Sequence, residues 1–202
     1  MTIADLREAL AKISLVMDEN KDYLVELDQL NGDGDLGISM SAGFRAVKDY
    51  FAETEETDLG KALAKAGNAF NEAAPSSLGT IMAFGFMGMA RELRGMTEIG
   101  MGELAGALEK GVEKIMEKTG SKPGERTVLD ALCPAVKAFR EHSADASEAW
   151  RAAAQAATAG AESTKAMKPV HGRAAYYGEK SLGHFDGGAV VGQLIFEALA
   201  DR

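Results

Sequence analysis

A single cysteine, Cys133, in 202 residues excludes an internal disulfide and a cysteine-rich zinc site. Positive charge is also short. Lys and Arg number 22 against 31 Asp and Glu, for a formal net charge of -9. That balance argues against electrostatic binding of nucleic acid or of an anionic membrane. No apolar run reaches the roughly 18 residues a membrane span needs. The longest, around residues 78–90, is broken by glycines. Asp5, Glu8 and Lys12 near the N-terminus are incompatible with the apolar core of a signal peptide, so a soluble cytoplasmic protein is expected. Aromatic residues make up only 6 % and prolines number four. The apolar residues are mainly Ala, Leu and Met, which suits packed helices better than strands.

Helical spacing recurs along the whole chain. Ile3, Leu6, Leu10, Ile13 and Met17 mark a first helix; Leu24, Leu27 and Leu30 mark a second, stopped by Asn31-Gly32. Met40, Phe44, Val47 and Phe51 give a third. Thr57-Asp58 can cap a fourth with Leu59, Leu63, Ala66 and Phe70 inward, and Ser76-Ser77 open a fifth running to about Leu93. A sixth spans about 101–116. A seventh begins at Glu125-Arg126-Thr127, with Leu129, Leu132, Val136 and Phe139 inward. An Ala-rich eighth spans about 147–167, a Gly-rich irregular stretch follows over 168–188, and a last helix covers 189–199. No segment shows period two. The expected fold is all-α, about eight antiparallel amphipathic helices in a closed barrel or bundle, as a single domain over residues 1–202.

Chemistry concentrates in Leu27-Asp28-Gln29-Leu30-Asn31-Gly32-Asp33-Gly34-Asp35-Leu36-Gly37. Three carboxylates this close repel one another unless a cation sits between them. The glycines allow sharp turns, and Mg²⁺ takes oxygen ligands while sharing its shell with phosphates. The segment therefore reads as a metal loop; a solvated acidic turn is the competing reading. An EF-hand is excluded, because position twelve is Phe44 counted from Asp33 and Ala42 counted from Asn31, where Glu is required.

Three further stretches stand out. Ser76 and Ser77 open a helix, where free N–H groups can bind an anion or the serine can act as an ordinary cap. Residues 122–130 can form a phosphate contact or a lid, or a plain loop before a capped helix. Residues 172–188 are long for a structureless connection, a feature typical of functional loops. Arg173 there can pair with phosphate, and Asp186 can cap a helix or bind a ligand. Cys133 reads as a core thiol, Met82, Met87 and Met89 as core filler, and His142 as solvated.

Taken together and in order, Gly32–Met40, the Ser-Ser helix start, Pro123–Leu132 and Gly172–Ala189 resemble the nucleotide-binding L subunit of dihydroxyacetone kinases. The resemblance covers nearly the full chain. It implies an eight-helix antiparallel barrel holding ADP or ATP with Mg²⁺, as two ions, at one end. It matches Asp28, Asp33 and Asp35 to the metal ligands. The nucleotide contacts match Leu36, Gly37, Ile38 and Ser39, then Ser76, Ser77 and Gly120, and finally Arg173, Asp186 and Gly187. The triose would be held by a separate K subunit, and a phosphocarrier M subunit would recharge bound ADP in one branch of the family. No residue of this chain is assigned as a general base, in keeping with an acceptor held on another protein. Leu36 stands where the family has His, Ser39 where it has Asn, and Gly187 where it has Pro; the run Ala74-Pro75-Ser76-Ser77-Leu78-Gly79 replaces a Gly-rich one. Two alternatives remain: a stand-alone nucleotide-binding regulatory module, and a Mg²⁺-dependent phosphohydrolase.

Overall fold

The apolar face of each helix buries itself against two neighbours until the layer closes on itself. The computed structural model describes residues 1–200. Nine α-helices occur among them: α1 (Ile3–Glu19), α2 (Lys21–Gln29), α3 (Leu36–Glu53), α4 (Leu59–Ala73), α5 (Ser77–Glu92), α6 (Met101–Thr119), α7 (Leu129–Glu141), α8 (Ala146–Ser163) and α9 (Gly187–Ala200). Eight form a ring in the order α1, α3, α4, α5, α6, α7, α8, α9 and back to α1, while short α2 lies outside against α3 and α9. The expected all-helical architecture is present, and α2 is the helix beyond eight. No helix among the described residues is long and apolar enough to cross a membrane.

Neighbours in the ring run antiparallel. Asp18, late in α1, accepts a hydrogen bond from Ser41, early in α3. Gly43 lies against Phe70, Gly60 against Ala90, and Gly88 against Lys110. Arg140, late in α7, pairs with Glu109 in the first half of α6. Strict alternation gathers the N-termini of α3, α5, α7 and α9 at one end of the ring. The loops that precede those four helices carry the four motifs, so the topology brings them to one end.

The core is one cluster. Phe44 and Phe70 meet edge to face at 4.9 Å, and Phe139 packs on Trp150 at 4.5 Å. An apolar cavity of about 140 Å³ runs inside the ring, bordered by Leu6, Phe44, Phe86, Leu104 and Phe196. Pro134 inside α7 has no N–H to bond the Asp130 carbonyl, and the α7–α8 crossing is close at that point because α8 presents a glycine there. Gly160 of α8 sits on that carbonyl, where a Cβ would overlap it.

Several boundaries differ from expectation. Helix α7 starts at Leu129 rather than Glu125, since Arg126 takes a left-handed backbone (φ 61°) that no helix accommodates. Helix α8 stops at Ser163 rather than Met167. The hydroxyls of Ser163 and Thr164 donate to the Gly160 and Ala161 carbonyls, competing with the helical ladder and tightening 164–166 into a 3₁₀ turn. The stretch expected to be irregular carries two 3₁₀ turns, Arg173–Tyr176 and Gly178–Ser181. Met82 and Met89 pack in or against the core, but Met87 is exposed. Cys133 is half-buried against the core, and its thiol is pushed up to about 11 by burial, so it stays protonated and inert. His142 is exposed, with Nδ1 2.9 Å from the Ala138 carbonyl oxygen.

Candidate metal and nucleotide site

Asp28, on the last turn of α2, folds the acidic loop back on itself. Its Oδ2 accepts from the N–H groups of Gly34 (2.7 Å) and Asp35 (3.1 Å). Two glycines make this possible. Gly34 has φ 79°, and a Cβ on Gly32 would overlap the Asp28 carboxylate. Asp28, Asp33 and Asp35 thereby each offer a carboxylate oxygen within 4.8 Å of the others. Burial, then the negative charges of Asp33 and Asp28, push the Asp35 carboxyl above its ordinary value. The Arg173 guanidinium stands across the loop, Nη2 donating to Asp33 Oδ2 at 2.9 Å, and partly offsets that charge. An all-oxygen donor set with excess negative charge fits a hard divalent cation such as Mg²⁺.

The flanking candidates take distinct places. Leu36 is buried against Gly187, Gly37 against the Lys21 carbonyl, and Ser39 is buried inside α3. Ile38 alone of the four exposes its side chain (55 %). What Leu36, Gly37 and Ile38 offer a ligand is the row of first-turn N–H groups of α3. Ser76 caps α5, its hydroxyl accepting from Gly79 N–H at 3.1 Å, while Ser77 is exposed as the first helical residue. Gly120 ends α6 in the left-handed region at φ 71°.

The loop before α7 is folded by Asp130, a buried residue that accepts from Gly124 N–H (2.5 Å) and Thr127 N–H (2.7 Å). Glu125 beside it meets His171 Nε2 at 2.6 Å. That contact, then the Lys122 N–H, holds the Glu125 carboxyl below its ordinary value. Arg126, which no spacing in the sequence singles out, is only 4 % exposed and donates to the carbonyls of Met167, His184 and Phe185. Its partners lie more than 40 residues away, where local patterning carries no signal.

Asp186 caps α9 by accepting from Ala189 N–H at 2.8 Å. Burial pushes its carboxyl from an ordinary 3.8 up to about 6, against the opposing influence of Ala189 N–H and Arg126. An acid whose folded-state pKa is raised binds more protons folded than unfolded, so stability falls as pH rises between about 4 and 6. Asp186→Asn keeps a capping oxygen and is expected to flatten that part of the profile in thermal melts across the range. A slope identical to that of the parent chain would assign it to other groups.

The same arrangement of loops and helices occurs in known proteins. The profile of the DAK2 domain matches residues 31–201. The chain belongs to the DAK2 domain family. It is 34 % identical over 181 residues to the ADP-binding subunit DhaL of PEP-dependent dihydroxyacetone kinase 1 from Listeria innocua, covering 90 % of this chain and 87 % of that subunit. It is 28 % identical to the ADP-binding subunit DhaL of the Escherichia coli PEP-dependent dihydroxyacetone kinase, over 92 % of this chain and 90 % of that one. In structure it is similar to the dihydroxyacetone kinase of C. freundii in complex with AMP-PNP and Mg²⁺, with a TM-score of 0.80 and 25 % identity. That likeness covers 98 % of this chain and 34 % of the larger C. freundii chain. These DAK2 relatives are phosphotransferases.

Proposed function

We propose that this DAK2 chain, as one nucleotide-binding domain, is the Mg²⁺–nucleotide subunit of a dihydroxyacetone or short-ketose kinase. It would pass a phosphoryl group from bound nucleotide to a triose held on a separate K-type subunit. The observation that carries the reading is the triad of Asp28, Asp33 and Asp35 within 4.8 Å, faced by Arg173, at the end where four helix N-termini converge. Relatives of similar length named as ADP-binding subunits of PEP-dependent kinases support ADP as the resident nucleotide, recharged by a phosphocarrier M subunit.

In this reading Asp28, Asp33 and Asp35 hold Mg²⁺, which would neutralise charge on the phosphate oxygens. The first-turn N–H groups of Leu36, Gly37 and Ile38, and those of α5 beside Ser76 and Ser77, donate to the same oxygens, with the helix dipoles favouring negative charge there. Ser39 stiffens the first turn from within. Arg173, released from Asp33, pairs with phosphate through its fork of donors. Gly120 leaves room for close backbone approach, and Asp186 with Gly187 forms the facing wall.

A coupled assay settles the division of labour. The purified chain with ADP, Mg²⁺ and dihydroxyacetone is expected to form no sugar phosphate alone and to form it when a K-type subunit and a phosphorylated M-type phosphocarrier are both added. Release of inorganic phosphate by the chain alone would overturn the reading in favour of a phosphohydrolase.

A further inference from the structure

We propose that Arg126 is a positioning residue, the clamp that holds both ends of the 167–186 strap and through it places Arg173 and Asp186 at the nucleotide end. The role rests on the nucleotide-site reading only where Arg173 meets ligand; the clamp itself stands on geometry. The guanidinium donates to Met167 O (3.3 Å) where the strap leaves α8, and to His184 O (3.0 Å) and Phe185 O (3.5 Å) where it enters α9. One side chain thus ties together two points 17 residues apart in sequence. The adjoining Glu125 adds two more ties, its carbonyl accepting from Val170 N–H and its carboxylate meeting His171. Between these ties the strap is largely exposed, and Arg173 lies in that exposed part.

Two features show that the structure bears a penalty to keep Arg126 in place. Its backbone sits at φ 61°, a region L residues rarely occupy. Its Nε is buried with no partner among the described residues. A surface arginine serving solubility needs neither. The opposite charge of Asp186 nearby stabilises the buried guanidinium and links the clamp to the cap of α9.

The full chain tests this with two readouts. In limited trypsin digestion without ligand, Arg126→Met is expected to be cut within the strap, at Arg173 and Lys180, about tenfold faster than the parent, the effect of about 1.4 kcal/mol, with helical circular dichroism unchanged. In calorimetry with ADP and Mg²⁺, Arg126→Met is expected to bind about tenfold more weakly. The double variant Arg126→Met/Arg173→Ala should lose less affinity than the sum of the two single losses, because both variants remove the Arg173 contact. Arg126→Lys, which keeps the charge and one donor group, should recover part of both losses. Unchanged strap cleavage, full additivity with Arg173→Ala, or a lysine variant as loose as the methionine one would each overturn the proposal. Global loss of helicity in both Arg126 variants would do so too, by making the residue a requirement of the barrel. A parent chain that fails to bind ADP with Mg²⁺ defeats the functional reading instead, and trypsin alone then judges the clamp.

Discussion

Asp33→Ala is expected to weaken Mg²⁺-dependent ADP binding by at least ~100-fold, about 3 kcal/mol, in the lower part of the range for close charge pairs, while leaving the fold intact. Asp33 is the cleanest of the three carboxylates to remove. Asp28 also holds the loop through Gly34 and Asp35 N–H, so its loss would unfold the loop as well as strip a ligand. Asp33 is exposed and its carboxylate meets Arg173. An exposed pair of this kind contributes about 1 kcal/mol or less. Removing Asp33 also relieves the repulsion that raises the Asp35 carboxyl. The two effects oppose each other, so the metal-free melting temperature should hardly move. Calorimetry with ADP and Mg²⁺ reads the loss, and parent-like affinity would remove Asp33 from the site.

Phe139→Ala is expected to destabilise the barrel by about 4 kcal/mol, the usual scale for emptying a buried aromatic site. Phe139 is fully buried on α7 and packs on Trp150 of α8, which in turn meets Phe196 of α9. The truncation therefore leaves a void at the junction of α7, α8 and α9. Thermal melting should drop by roughly 8–16 °C, at 2–4 °C per kcal/mol for a chain of this size. A shift under a few degrees would mean that the junction collapses onto the void.

Much of this architecture is legible in residue spacing because helices write their buried face into a 3.6-residue period. Leu59, Leu63, Ala66 and Phe70 are all fully or almost fully buried on α4, as that period demands. The caps at Asp58 and Ser76 were equally readable, since capping depends on residues three apart. The acidic loop could be picked out for the same reason: its charge density is local. What local pattern does not carry is contact across the fold. The Asp33–Arg173 pair joins positions 140 apart in the chain, and Arg126 reaches carbonyls 41 to 59 residues away. The start of α7 was misplaced because a left-handed arginine is set by that distant clamp and not by its neighbours. Leu36, Gly37 and Ser39 are candidates for ligand contact by sequence, and the structure buries all three, leaving the backbone N–H groups of Leu36 and Gly37 as what they offer, since that of Ser39 is bonded to the Asp35 carbonyl.

A crystal structure of the chain with ADP and Mg²⁺ bears on the carboxylate triad itself. The expected result is magnesium bound by Asp28, Asp33 and Asp35, with the diphosphate beside the first turn of α3 and Arg173 turned from Asp33 toward phosphate. Nucleotide bound elsewhere, or the three carboxylates left facing solvent with no ion between them, would contradict it.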